Sequence, residues 1–109
     1  MMENAPTFAA PRNLANTVNY EEGGIVSRQI LKSPAGNITV FSFAKGQGLS
    51  RHTAPFDAAV QILDGTAEIK IGDTPHTLKS GDFVIMPANV PHELFAAENF
   101  KMLLTMIRG

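Results

Sequence analysis

"GQGLSRHTAPFDAAVQILDG", residues 46–65, carries the densest structural signal in the chain. It opens with two glycines around Gln47, reaches a histidine at His52 and ends in Asp64-Gly65. Glycine accommodates tight turns, and Asp-Gly is a common turn dipeptide. The run Ala58–Leu63 is rich in apolar residues and is typical of a short β-strand. Residues 46–65 therefore predict a glycine-rich loop, a strand and a turn, with one histidine ahead of the strand.

The remainder of the chain repeats this alternation of short β-rich runs and turn residues. No window keeps helical apolar spacing over three turns, so helices are not expected. Short strands without helices predict a sandwich or small barrel, in which closure removes exposed edges. The predicted strands are Gly24–Leu31, Asn37–Ala44, Ala58–Leu63, Ala67–Ile71, His76–Leu78, Asp82–Met86, His92–Ala96 and Phe100–Ile107.

Composition narrows the classes of function. The chain has 109 residues, which suits one domain, and we expect residues 1–22 to form an N-terminal arm and 23–109 a single barrel. A net charge of -1 without a basic run argues against a nucleic-acid partner. No apolar run approaches the roughly 20 residues of a membrane helix. The absence of cysteine and of a secretory signal pattern predicts a cytoplasmic protein.

The spacing within residues 46–65 resembles the first motif of the cupin superfamily. That motif runs Gly, five residues, His-x-His, three or four residues, Glu, six residues, Gly. Gly46, His52 and Gly65 stand at matching positions. Ala54 stands where the second histidine is expected and Ala58 where the glutamate is expected, so two metal ligands of the motif are replaced.

A second cupin-like motif follows, with the pattern Gly, five residues, Pro-x-Gly, two residues, His, three residues, Asn. Gly81, Pro87 and His92 match it. Asn89 replaces the middle glycine, a mild change because Asn also adopts the left-handed conformation, and Ala96 replaces the final Asn. The resemblance implies a small single-domain conserved-barrel cupin with an incomplete metal motif. Its fold would be an all-β double-stranded β-helix, a jelly-roll barrel with the motif histidines pointing into the cavity.

The same resemblance implies that His52 and His92 are candidate ligands of a divalent metal, with Fe, Ni, Zn or Mn as candidates. Two imidazoles without an anionic ligand bind a metal more weakly than a complete set. Gln61 is a further candidate, which would face the cavity only if a β-bulge shifted the strand register. Asp57 and Glu93 are expected to face away. The open alternative is that both histidines are neutral and hydrogen-bond a ligand.

A pocket for a small molecule is the second expectation. Such pockets are mostly apolar, with a few polar groups, although in a small barrel the same residues can simply fill the core. Met106 belongs to the same apolar set, whereas His76 is expected to be structural. The predicted pocket residues are Ala54, Phe56, Ala58, Met86, Phe95 and Met102.

Three functions remain open from the sequence. We predict a small cupin that binds a small organic ligand in the barrel cavity, with a metal at His52 and His92. The alternatives are a mononuclear-metal enzyme, an oxygenase or isomerase-like catalyst, and a structural or regulatory dimer. The resemblance also implies a homodimer, since small cupins commonly pair, and the apolar residues on both faces of the strand Phe100–Ile107 are consistent with it.

Overall fold

The computed structural model of the protein describes residues 9–108, which form eight β-strands and one short 3₁₀ helix. The all-β prediction is confirmed. No helix within these residues is long and apolar enough to cross a membrane. The strands are β1 (Ile25–Ser33), β2 (Gly36–Phe43), β3 (Gly48–His52), β4 (Asp57–Ile71), β5 (Thr74–Lys79), β6 (Phe83–Met86), β7 (His92–Phe95) and β8 (Phe100–Ile107), and the 3₁₀ helix is Leu14–Asn16.

Strand β4 belongs to two sheets. Its N-terminal half pairs with β8 and β6, which gives a larger sheet in the order β1-β2-β8-β4-β6. Its C-terminal half pairs with β5 and β7, which gives a smaller sheet in the order β3-β7-β4-β5. Every pair is antiparallel, and the curled sheets form the jelly-roll barrel that the motif spacing implied.

The predicted turn at Asp64-Gly65 is wrong, because β4 runs through it without a break. The register shifts by a bulge between Ile62 and Asp64, and Gly65 has a φ of 76°. A Cβ atom at Gly65 would overlap the backbone oxygen of Asn99, so both the dihedral and the close approach of β8 require glycine. The Asp-Gly pair therefore marks the bend at which β4 passes from the larger sheet to the smaller one.

Strand β3 is missing from the sequence prediction. Its burial pattern is one half-buried residue among four exposed ones, so no apolar alternation marks it. The pairing with β7 creates this strand, which is a tertiary effect rather than a local one.

The core lies between the inner faces of the two sheets. Phe43 and Phe100 stack at one end of the barrel with ring centroids 4.6 Å apart and planes 8° apart, and both are 0% exposed. Fully burying a side chain of this size contributes about 1.5–3 kcal/mol. The other core residues include Val60, Ile62, Ala67, Ile69, Leu78, Leu94 and Met102.

Residues 9–22, the described part of the predicted arm, contact the outer face of the larger sheet. The Ser42 hydroxyl donates a hydrogen bond of 2.8 Å to the carbonyl of Asn19. The Lys101 ammonium donates one of 2.6 Å to the carbonyl of Ala15. The first eight residues of the predicted arm lie outside the described part of the chain, and the division into arm and barrel stays a prediction.

Candidate functional site

The structure brings together the two histidines that the motifs singled out. His52 ends β3, His92 begins β7, and the two residues are direct register partners across this antiparallel pair. Their Nε2 atoms are 3.1 Å apart, and the rings meet at 73° with centroids 4.3 Å apart. His92 is buried and His52 is exposed, so the pair lies where the barrel interior meets the surface.

Contacts with the backbone orient both rings. The Nδ1 atom of His52 lies 2.7 Å from the carbonyl of Ser50, and that of His92 lies 3.2 Å from the carbonyl of Val90. A carbonyl oxygen only accepts, so these contacts are hydrogen bonds in the tautomer that carries the proton on Nδ1, and in that tautomer the lone pair is on Nε2. The two lone pairs then converge, and a proton or a cation between the Nε2 atoms would stabilise this arrangement.

Burial lowers the pKa of His92 below the ordinary histidine value. The proximity of His52 lowers it further, whereas the hydrogen bond to the Val90 carbonyl opposes the shift. At neutral pH the His92 ring is therefore uncharged, with the Nε2 lone pair free to bind a cation.

A small cavity extends from the histidine pair into the barrel. Its volume is about 80 Å³, roughly half of the ~150 Å³ of an apolar protein cavity that holds benzene. Apart from the two histidines, its side chains are hydrocarbon or thioether. The lining residues are Phe41, Leu49, His52, Ala54, Ala58, Met86, His92, Leu94, Met102, Leu104 and Met106.

Four of the predicted pocket residues line this cavity, namely Ala54, Ala58, Met86 and Met102. Ala58 is the position of the family's glutamate, and its methyl group points inward on β4. The two alanines that replace ligands in the motif are thus part of the cavity wall.

Gln61, Phe56 and Phe95 lie elsewhere. Gln61 is exposed on the outer face of β4, since the bulge follows Ile62 and comes too late to turn Gln61 inward. Phe95 is exposed on β7 because it has the opposite parity to the inward-facing Leu94. Phe56 precedes β4 and packs under the Arg108 guanidinium, 4.8 Å from the ring centroid. None of the three residues lines the cavity.

The carboxylates next to the motif positions also face outward, as strand alternation predicts. Asp57 accepts a hydrogen bond of 2.9 Å from the backbone N–H of Ala88, which anchors the loop before β7. Glu93 lies 3.7 Å from Arg51, whose guanidinium also donates to the carbonyl of Gly72. Neither carboxylate reaches the histidine pair.

The loop of the second motif is tied to the loop of the first. Asn89 has a φ of 65°, the left-handed conformation that the motif's glycine would supply. Its backbone N–H donates a hydrogen bond of 2.8 Å to the carbonyl of Ala54. The replacement of Gly by Asn therefore keeps the turn that brings His92 toward His52.

The two imidazoles fit a metal ion, while the rest of a divalent site is incomplete. Two Nε2 atoms 3.1 Å apart have the spacing of adjacent ligands that each lie about 2.0–2.1 Å from one ion. The backbone bonds at Nδ1 orient the rings as metal-binding histidines usually require. Residues 9–108 contain no group of three or more His, Asp or Glu side chains that could hold one ion. Any metal here has two protein nitrogens and no carboxylate.

Sequence reasoning missed several residues of the cavity wall. Leu104 shares the inward parity of Met102 and Met106 on β8, so the alternation along that strand could have added it. Phe41 could have been found in the same way on β2. Leu49 lies on β3, and no local signal predicts that strand.

The comparisons with known proteins identify one family. A model of the cupin domain family matches residues 39–108. A search of curated proteins found no match.

The solved structures agree with this family. A conserved protein of unknown function from Streptococcus pyogenes is 40% identical, with a TM-score of 0.88 over 93% of this chain and 89% of its own. A cupin 2 conserved barrel domain protein from Leptotrichia buccalis is 42% identical, with a TM-score of 0.86 over 89% of this chain and 47% of its own. A cupin superfamily protein from Desulfitobacterium hafniense is 29% identical, with a TM-score of 0.87 over 92% of both chains.

The fold is thus an antiparallel jelly-roll barrel with a histidine pair at its opening. The chain belongs to the cupin family. Its alanines at positions 54 and 58 distinguish it from members that carry the complete ligand motif.

Proposed function

We propose that this cupin binds a very small organic ligand in the barrel cavity, on a metal ion that His52 and His92 hold through their Nε2 atoms. The family expectation for that ion is a divalent cation such as Fe, Ni, Zn or Mn. When bound, the ion would supply a Lewis acid with open positions for a ligand oxygen or nitrogen.

The observation that carries this proposal is the convergence of two Nε2 lone pairs in an otherwise apolar cavity. A cation between the two Nε2 atoms would pair both lone pairs at once, including that of the buried His92. The backbone carbonyls of Ser50 and Val90 hold the rings in the orientation that leaves Nε2 for a cation. The cavity itself argues against a barrel that is filled only by its own side chains.

Elemental analysis of untagged protein tests the metal part of the proposal. We expect stoichiometric metal in the wild-type protein and none in a His52→Ala/His92→Ala double variant. His76→Ala is the matched control, because His76 is the third histidine and is exposed on β5 outside the cavity. An absence of metal in the wild type, even after incubation with Fe, Ni, Zn and Mn salts, would contradict a divalent ion at this site.

The cavity volume sets the size of the ligand. A space of about 80 Å³ holds no molecule as large as benzene, which occupies a cavity of roughly 150 Å³ elsewhere. In the metal-loaded protein we expect formate and acetate to raise the melting temperature, whereas benzoate does not. Stabilisation by benzoate but not by acetate would contradict a ligand confined to this cavity.

We also propose that a second copy of the chain covers the outer face of β6 and β8. Phe83, Ile85 and Ile107 are 71%, 47% and 60% exposed there. They share the outer face of the larger sheet, since Phe83 and Ile85 on β6 oppose Gln61 and Ala59 on β4, and β8 flanks β4 on its other side. Large exposed apolar areas of this kind mark protein interfaces.

Light scattering at micromolar concentration tests the dimer. We expect a dimer for the wild type and a monomer for Phe83→Ser/Ile85→Ser. Phe95→Ser is the matched control, since Phe95 is 48% exposed on the smaller sheet. A monomeric wild type would contradict this part of the proposal.

A cytoplasmic location completes the proposal. The chain contains no cysteine, so its fold needs no oxidising compartment. Fractionation of the native host with an antibody against the protein would test the location.

A further inference from the structure

Methionine side chains surround the position where the family's glutamate would stand. Ala58 on β4 has Met86 on β6 and Met106 on β8 as its direct register partners. Cross-strand partners have Cβ atoms about 4.5–5.5 Å apart, so both methionines flank the space that a longer side chain at Ala58 would fill. Met102 lies four residues before Met106 on the same inward face of β8. All three line the cavity together with His52 and His92.

These methionines change the chemical character of the site. Among residues 9–108, the donors that line the cavity are two imidazole nitrogens and three thioether sulfurs, without a carboxylate. Thioethers are soft ligands that favour Cu(I) over Zn, Mn or Fe(II), which prefer harder donors. Methionine is flexible, so its sulfur can turn toward an ion without a change of backbone.

The charge balance of the cavity also favours a monovalent ion. The carboxylates closest in sequence, Asp57 and Glu93, bind outside the barrel to the backbone of Ala88 and to Arg51. An uncompensated ion in an apolar cavity pays a desolvation cost that grows with the square of its charge, so a monovalent ion pays about a quarter of the divalent cost. The cavity therefore disfavours a divalent ion more strongly than a monovalent one.

We infer that the resident ion of this site is Cu(I), held by the Nε2 atoms of His52 and His92 together with the thioethers of Met86 and Met106. This inference rests on the proposed function, which places a metal on the two histidines, and it replaces the family's divalent ion by a soft monovalent one. The substitution of Ala58 for glutamate and the two flanking methionines together set this preference.

Competition for metal under anaerobic conditions tests the inference. Metal-free protein is titrated against the coloured Cu(I) chelator bicinchoninate, and in parallel against a zinc-binding dye with Zn(II). We expect Met86→Leu/Met106→Leu to lose roughly tenfold or more in Cu(I) affinity, the order expected when ligand support is removed, with little change in Zn(II) affinity. Leu104→Ile is the matched control, because Leu104 lies between Met102 and Met106 on the same wall and carries no sulfur.

A folding check and an Ala58→Glu variant complete the test of the copper inference. Methionine to leucine conserves volume, so the double variant is expected to fold, and circular dichroism and thermal melting verify this. Ala58→Glu restores a carboxylate and is expected to shift the ratio of Cu(I) to Zn(II) affinity toward zinc. An unchanged Cu(I) affinity in the methionine double variant, or an unchanged ratio in folded Ala58→Glu, would overturn the inference.

The same data separate this inference from the proposed function. Histidine-dependent Zn(II) binding that is tighter than Cu(I) binding overturns the copper inference and leaves the proposed metal site intact. Failure of the wild type to bind either ion overturns both.

Discussion

The two ends of the β4–β8 pair face the barrel interior with opposite chemistry. At one end Gly65 opposes Phe100, and the stacked rings of Phe43 and Phe100 leave no space. At the other end Ala58 opposes Met106, and a cavity of about 80 Å³ remains. Along the same pair of strands, aromatic rings fill one end of the barrel, and a cavity next to the histidine pair remains at the other. Side-chain volume along two strands separates the tightly packed end of the molecule from the end that contains the cavity.

The largest expected effect is the loss of packing at the closed end. Phe100→Ala should lower the free energy of unfolding by about 3–5 kcal/mol, because a fully buried ring is removed from a rigid stack. Leu104→Ala, on the half-buried wall of the cavity, should cost less, about 2 kcal/mol, since its surroundings are already open. Urea unfolding of both variants measures the difference. Equal losses would show that the two ends are packed alike.

The second-largest expected loss of stability is at the bend at Gly65. Gly65→Ala should cost about 2–4 kcal/mol, since a Cβ atom there both strains the dihedral and overlaps the backbone of Asn99. Gly81→Ala is the control, because Gly81 has a φ of 94° but open space around its Cβ position. It should cost only the dihedral strain, about 1–2 kcal/mol. A similar midpoint shift in urea for both variants would argue against a steric role of the bend.

Filling the open end should affect binding more than stability. Ala58→Leu is expected to abolish metal and ligand binding while it changes the free energy of unfolding by less than about 1.5 kcal/mol, because the added side chain enters existing space. Ala59→Leu, on the outer face of the same strand, should leave metal content unchanged. Elemental analysis and urea unfolding of both variants measure these effects. Full metal content in Ala58→Leu would place the metal outside this cavity.

The smallest expected effect on stability is at the N-terminal arm. There the Tyr20 hydroxyl donates a hydrogen bond of 2.5 Å to Asp64. Burial, and then the hydrogen bond and charge of Asp64, raise the pKa of Tyr20 above the ordinary tyrosine value. A raised folded-state pKa means that the contact contributes fully below the unfolded-state pKa of about 10 and is lost as pH rises through the higher folded value. The hydrogen bond itself should contribute about 0.5–1.5 kcal/mol.

Tyr20 is the only tyrosine, and the chain has no tryptophan, so tyrosinate absorbance reports this residue alone. We expect its titration midpoint to be higher in native than in urea-unfolded protein. Tyr20→Phe should remove the loss of stability that sets in as the pH rises above the ordinary tyrosine pKa of about 10. Coincident native and unfolded titrations would show that the Asp64 contact is absent in solution.

The motif spacing predicts much of the fold, the histidine pair and part of the cavity wall. Turn glycines, Pro87 and Asn89 set backbone dihedrals locally, so their positions predict a cupin barrel before any contact is known. The same local logic fails at Asp64-Gly65, where a dipeptide that favours a turn is held in a strand by the approach of Asn99. It also fails at β3, which exists only through its pairing with β7.

The sequence by itself determined the barrel class, the pairing of His52 with His92 through the family spacing, and the loss of the two ligand positions at Ala54 and Ala58. Only the tertiary structure decided which atoms of the histidines converge, and that Gln61 and Phe95 point away from the cavity. It alone placed methionines on both sides of Ala58, because register between strands that are distant in the chain is set by packing and hydrogen bonding across the sheet. Local residue preferences fix dihedrals, whereas the chemistry of the cavity depends on which strands become neighbours.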